Sequence, residues 1–289
     1  MIVVLGDIAI DIVSQLKKPL ARGSDASAAI RMMPGGSGAN VAVWLARLGQ
    51  PVSFVGRVGD DPFGRWLTDD LRREGVNPAL TVDRERGTGV IQVLVEPDGE
   101  RTMAPDRGAN AVWAPSDVPE ALIASASLLH VVGYVLLDEA SRRGALAGMS
   151  YARAHGVPIS LDPSSHAPLG ALGADGLWSM VEQVTILLPN RHEAQVLSGE
   201  ADPTDALRAL VQQARLVAIK LDKDGCVAGE GDRVYRAPAP QAAIVNATGA
   251  GDAFDAAFLA RWLTGSDVEA ACRAGVALGT HAATLQSTR

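Results

Sequence analysis

Short, wholly apolar runs alternate along this chain with longer segments whose apolar residues recur every three or four positions. An apolar run without polar alternation is the signature of a strand covered on both faces. Helical periodicity between such runs predicts βα units around a parallel sheet. Strands are predicted at Ile2–Leu5, Val52–Val55, Leu128–Val132, Pro158–Leu161, Thr185–Leu188 and Leu216–Leu221. Helices are predicted from Val41 to Leu48, from about Arg65 to Glu74, and over Asp138–His155, Arg191–Leu197, Thr204–Ala214 and Asp267 to about Leu285.

Three stretches break the alternation. Val90–Val95, the turn Pro97-Asp98-Gly99 and the residues from Arg101 onward read as a hairpin, while residues 16–34 are small and polar without a helical period. Segments at about 11–34 and 86–108 together predict a small sheet projecting from the main body, a candidate lid. Cys226–Ala228 and Arg233–Tyr235 form another predicted hairpin around Gly231-Asp232. The predicted fold class is α/β, one doubly wound, mostly parallel sheet in a single domain over 1–289 with a small β-sheet lid.

With 289 residues, 47% of them hydrophobic, the chain can bury a large core. A formal net charge of -7 argues against nucleic acid as a partner. Cys226 and Cys272 fit no metal spacing, nor do His130, His155, His166 and His192. The chain enters Ile2-Val3-Val4-Leu5 without a charged leader region, and no apolar run is long enough to span a membrane. The expectation is a soluble cytoplasmic protein.

The stretch Val245-Asn246-Ala247-Thr248-Gly249-Ala250-Gly251-Asp252-Ala253-Phe254 carries the chemistry. Its glycines let the backbone turn and expose N–H groups, and an apolar helix follows, stopped by Gly265. A helix beginning on such a turn aims unpaired donors and the positive end of its dipole at one point, a site for an anion. Asp252 in the first turn fits a simple cap. It fits equally a base that deprotonates an incoming hydroxyl while the Gly249–Gly251 amides hold developing charge, the arrangement phosphoryl transfer needs. Its place at a helix N-terminus predicts a lowered pKa.

Near the N-terminus, Asp7 and Asp11 follow the first strand, where open α/β sheets bind ligands; Asp7 alone reads as a loop residue. Pro34-Gly35-Gly36-Ser37-Gly38-Ala39-Asn40 opens a helix but lacks the preceding strong strand and the later acidic residue of a dinucleotide fingerprint, which disfavours a nicotinamide cofactor.

Taken in order, these motifs resemble the signatures of the ribokinase-like (PfkB) sugar kinases. One is Gly35-Gly36-Ser37-Gly38-Ala39-Asn40 followed by Val55-Gly56-x-Val58-Gly59-x-Asp61-x-Phe63-Gly64; the other is Thr248-Gly249-Ala250-Gly251-Asp252-Ala253-Phe254. Between them lie Gly108-Ala109-Asn110, Gly133-Tyr134, Leu161-Asp162-Pro163, Pro189-Asn190-x-x-Glu193 and Lys220-Leu221-x-x-x-Gly225, so the resemblance covers essentially the whole chain. It implies a Rossmann-like core with a β-sheet lid and ATP- and Mg²⁺-dependent phosphorylation of a hydroxymethyl group on a sugar or nucleoside. By position, it implies Asp252 as base and Gly249, Ala250 and Gly251 as anion hole. Asp11, Gly36, Ser37, Asn40, Arg107 and Asn110 would face the substrate. Asn190, Lys220, Asp222, Gly225, Thr248, Gly279 and His281 would lie by the nucleotide. Glu193 with Asn190 would serve Mg²⁺, usually through water; without the family Glu193 reads as a first-turn carboxylate complementing the dipole.

Departures from the family pattern qualify the substrate and the ions. Asn246 stands where many relatives carry Asp beside a monovalent-cation loop, and loss of that charge predicts weak or absent K⁺ activation. Ser37 stands where ribokinases carry Lys, which leaves ribose no longer the certain substrate. Asp222 occupies a position often held by Gly. Arg107 reads either as a reader of a carboxylate or heterocycle edge or as a solvated lid arginine, and His281 as a pocket or a surface residue. The alternatives to a sugar kinase are a nucleoside kinase of the same fold and a non-catalytic sugar- or nucleotide-binding regulator. Lid sheets of this family often pair, so a homodimer through the lid is a further expectation.

Overall fold

Ile2, Val3, Val4 and Leu5 are all buried, and they split between two cores: Ile2 and Val4 join one apolar cluster, Val3 and Leu5 the other. A period of two sends alternate side chains to opposite faces, so an unbroken apolar run requires cover on both sides. The computed structural model describes residues 1–20, 23–265, 267–285 and 288–289.

In chain order the strands are β1 (Ile2–Leu5), β2 (Ala9–Leu16), β3 (Ala28–Gly35), β4 (Val52–Gly59), β5 (Asn77–Asp83), β6 (Gly89–Val95), β7 (Arg101–Asp106), β8 (Leu128–Val132), β9 (Ile159–Asp162), β10 (Ile186–Leu187), β11 (Leu216–Lys220), β12 (Cys226–Glu230) and β13 (Arg233–Ala237). The main sheet has nine strands in the order β13-β12-β11-β10-β9-β8-β1-β4-β5. Only β12 runs antiparallel to its neighbours, as the predicted hairpin requires. Helices Ser37–Arg47, Pro62–Arg73, Ala250–Leu263 and Val268–Ala283 contribute to one core, and Glu139–Ala154, Arg191–Ser198 and Pro203–Leu210 to the other. Strand order reverses at β1, which pairs with β4 on one side and β8 on the other. The crevice at such a reversal, beyond the carboxyl ends of the strands, is where this architecture holds ligands.

A second sheet has the order β3-β2-β6-β7. Its registers align Asp11 with Ile91 and Pro105, Val13 with Val93 and Met103, and Val95 with Arg101. Residues level across a sheet share a face. One face therefore carries a carboxylate at its base, two apolar rows, and a cation at the hairpin tip.

The chain departs from the sequence reading at the edges. β2 and β3 fall in the segment expected to supply the small sheet, although residues 16–34 show no periodicity, because β3 is an edge strand with little burial to impose alternation. β5 was not predicted; its Pro78 is tolerated since β5 is an edge strand of the main sheet. Among the described residues no helix is long and apolar enough to cross a membrane.

Candidate active site

Gly249 sets the turn. Its φ is 82°, and a Cβ there would stand 2.3 Å from the Thr288 carbonyl oxygen, so conformation and space both demand glycine. The helix Ala250–Leu263 starts at the next residue. Among the described residues the N–H groups of Gly249, Gly251 and Asp252 meet no acceptor, whereas Ala250 donates to Ala247 O at 3.2 Å. Ala250, expected among the anion-hole donors, instead closes the turn; the open donors flank it.

Asp252 is gripped from across the sequence. Ser37 Oγ donates to its Oδ1 at 2.6 Å, and Asn40 Nδ2 to its Oδ2 at 2.8 Å. Asn40 is 4% exposed, and its Oδ1 has no partner among the described residues, an acceptor open to a hydroxyl. Asp7 accepts from the N–H groups of Ser37 (3.3 Å) and Gly38 (3.2 Å), so it caps the Ser37–Arg47 helix from the end of β1. Read from sequence as a loop residue, it anchors the helix that carries Ser37 and Asn40. Gly36, with φ 92°, lets β3 turn into that helix directly over Ile8.

The electrostatics correct one expectation. Burial raises the Asp252 pKa to about 6; the bonds from Ser37 and Asn40 oppose the rise, and the Asp162 and Asp7 carboxylates add to it. Loss of hydration thus outweighs the helix dipole that predicted a lowered value. Burial, then the nearby Asp7 charge, lifts Asp11 to about 7, with Arg289 pulling against them. Burial also raises Asp7, despite the Gly38 amide.

On the other side of the cleft, Asn190 and Glu193 cap one helix reciprocally. Glu193 N donates to Asn190 Oδ1 at 2.9 Å, while Asn190 N and Nδ2 donate to Glu193 at 2.8 and 2.6 Å. Glu193 is 1% exposed, and burial followed by Asp162 raises its pKa to about 7. Lys220 Nζ donates to Asp162 Oδ2 at 3.0 Å and to both oxygens of Asp255 at 3.0 and 3.2 Å. Burial disfavours the ammonium, yet Asp162 and Asp255 outweigh it and raise its pKa above the usual lysine value. Burial pushes Asp255 well above the carboxylate range. Neither Asp162 nor Asp255 was singled out as a site residue; the available signals were the Leu161-Asp162-Pro163 motif at a strand end and a second acid, Asp255, inside a largely apolar helix.

Two expected substrate residues are already engaged. Arg107 is ion-paired with Asp138 and donates to Tyr134 O at 2.8 Å. Asn110 donates to Ile8 O at 2.7 Å and accepts from Ile8 N at 3.2 Å, which fixes the β1–β2 connection.

A single cleft of about 1720 Å³ is lined by Asp11, Gly36, Ser37, Asn40, Arg107 and Asn110 on one side. Asn190, Glu193, Lys220, Asp222, Gly225, Gly279 and Thr248 through Asp252 line the rest. Asp222 has φ 51°, the conformation glycine favours. His281 is the exception: it lies outside, in a shallow apolar depression with Leu48, Ala257 and Leu278. Two positions beyond Gly279, it points to nearly the opposite side of its helix. Among the described residues no three metal-type ligands cluster.

The pfkB family carbohydrate kinase model matches residues 1–289. This chain belongs to the pfkB family of carbohydrate kinases. The pfkB kinase is similar to the ribokinase of Bacillus subtilis strain 168, with 32% identity over 277 residues covering 94% of this chain and 89% of that one. Its fold matches the crystal structure of adenosine kinase from Sinorhizobium meliloti with a TM-score of 0.87 and 25% identity, covering 100% of this chain and 95% of that one. Aminoimidazole riboside kinase from Salmonella enterica, solved with aminoimidazole riboside and an ATP analog, matches with a TM-score of 0.78 and 25% identity over 99% of this chain and 94% of that one. The non-catalytic regulator reading is set aside: this pfkB chain is a carbohydrate kinase.

Proposed function

We propose that this kinase transfers the γ-phosphoryl group of ATP to a hydroxymethyl group of a sugar or nucleoside, with Asp252 as base. The observation that carries the reading is the junction of two helix N-termini: Asp252 stands among open first-turn amides and is held by Ser37 and Asn40. The acceptor oxygen attacks phosphorus as the bond to the β-phosphate oxygen breaks, and Asp252 takes the hydroxyl proton. Charge on the transferring oxygens is met by the N–H groups of Gly249, Gly251 and Asp252. A pKa near 6 leaves the carboxylate ionised at neutral pH yet more basic than an ordinary aspartate. Asp11 and the open Asn40 Oδ1 suit substrate hydroxyls.

The site fits ATP with Mg²⁺. The donors of the turn suit phosphates, and Glu193 with Asn190 offers oxygen atoms without a closed protein cage, as suits an ion that arrives with phosphate and water ligands. When bound, Mg²⁺ neutralises phosphate charge. Lys220, held charged beside the turn, lies near the same phosphates.

Within this activity the wall that rises from Asp11 favours a nucleoside over a free sugar. Ile91, Val93, Met103 and Pro105 form an apolar panel facing the cleft, a surface for a planar base rather than for hydroxyls. Arg107, held by Asp138, is not free to read a substrate carboxylate. The test is ATP consumption over a panel of sugars, sugar acids and nucleosides. Nucleosides are expected to give the highest kcat/KM, and preferential turnover of sugar acids would contradict this. The second sheet acts as the lid, and its edge strand β3 exposes Ile30 (65%) and Met32 (53%), which suits self-association. Sedimentation of the wild type as a monomer at high concentration would rule that out.

A further inference from the structure

The hairpin of β6 and β7 reaches the loop that leads into the anion turn. Arg101, the first residue of β7, donates through Nη1 to Asn246 Oδ1 at 2.7 Å and to Thr248 Oγ1 at 2.6 Å. Asn246 Oδ1 also accepts the Thr248 N–H at 2.9 Å. Three bonds therefore gather immediately before Gly249. Thr248 and Gly249 line the cleft, whereas Arg101 does not. Residues 238–248 carry no helix or strand. Their backbone ties include the Val245 and Asn246 N–H groups on Ala283 O, at 2.9 and 3.0 Å. A segment without a ladder owes its rigidity to such individual ties.

We propose that Arg101 is a positioning residue for phosphoryl transfer: it fastens the hairpin tip to the Asn246–Thr248 turn and thereby holds the Gly249–Asp252 amides in place. Donors aimed at developing charge work only when they are preorganised, and small displacements are costly. Arg101 belongs to the same sheet face as Ile91, Val93 and Met103. The wall that closes over the acceptor and the turn that receives phosphate are thus joined through one side chain, with bonds strengthened by its charge. Lid closure and assembly of the anion turn become one event. This inference rests on the reading of Gly249–Asp252 as the phosphoryl-transfer site.

The test uses the full chain with Arg101→Ala and Arg101→Lys and two readouts. Hydrogen exchange across residues 243–252 needs no turnover: the alanine variant is expected to exchange at least about tenfold faster while Tm stays within about 2 °C. In steady-state assays with ATP and the best acceptor from the panel, kcat is expected to fall at least about tenfold with acceptor KM within about threefold. Adding Asn246→Asp to Arg101→Lys should restore much of the loss by supplying an ion pair. Unchanged exchange in Arg101→Ala overturns the proposal, as does faster exchange with unchanged kcat. Faster exchange in a protein whose wild type turns over no acceptor removes the underlying site assignment instead, and the positioning role with it.

Discussion

Ser37 and Asp252, 215 positions apart, share a 2.6 Å hydrogen bond that joins the first turns of two helices. The contact unites the two glycine motifs into one site. With the Asn40 bond to the other oxygen it fixes the carboxylate's orientation, which leaves proton transfer rather than side-chain search for the chemical step.

Asp252→Asn keeps the shape and removes the proposed base. We expect kcat to fall at least about a hundredfold, in line with general-base contributions, while Tm and nucleotide binding are retained. Near-normal turnover in that variant would exclude Asp252 as the base.

The pH–rate profile follows from the same carboxylate. Since the ionised form is the base, kcat/KM should rise with pH through a midpoint near 6. Ser37→Ala removes a bond that favours the ionised form, so its midpoint should move upward. A midpoint unmoved in Ser37→Ala would show that the hydroxyl does not tune the base.

Stability should run against activity. Asp252, Asp11 and Glu193 have folded-state pKa values of about 6, 7 and 7, above their unfolded values. Between about pH 4 and 7 the native protein therefore binds more protons than the unfolded chain, and its stability falls as pH rises through that window. Buried His130, held near 4, acts oppositely over about pH 4 to 6.5 as one group against three, and Asp83, held near 2, and the lowered Asp61 do so only below about pH 4. The ligand-free protein should melt at a higher temperature at pH 5 than at pH 7.5; calorimetry that finds the reverse contradicts this assignment.

Lys220→Met leaves the buried Asp162 carboxylate without its cation, beside Asp255, which is fully buried. Breaking such a group costs about 3–5 kcal/mol, so a large drop in denaturation midpoint is expected. Asp255→Asn should cost much less, because burial already favours its protonated form. Equal losses in the two variants would argue against this division of charge.

Arg101 bears on the K⁺ question, since it already occupies the Asn246 and Thr248 side-chain oxygens. Replacing K⁺ by a large inert cation at constant ionic strength is expected to change kcat less than about twofold, because a hard cation needs oxygen ligands that are free. A steep dependence on K⁺ would contradict it.

The parallel core was legible because its strands are covered on both faces, which forces unbroken apolar runs such as Ile2–Leu5, and because the Gly249 turn and Gly36 leave local marks. β5 was not legible as a strand, and β3 only as part of a projecting small sheet, since edges bury too little to impose a pattern. His281 was misplaced because proximity in sequence to Gly279 says nothing about which side of a helix faces the cleft.

The sequence by itself determined the fold class, the two glycine turns and the acid beside one of them, because these depend on local periodicity and backbone conformation. Only the tertiary structure decided the pairing of Ser37 with Asp252, the engagement of Arg107 and Asn110, and the burial that lifts the Asp252 pKa. Each of those depends on what distant segments bring to a side chain and on how much water they remove from it.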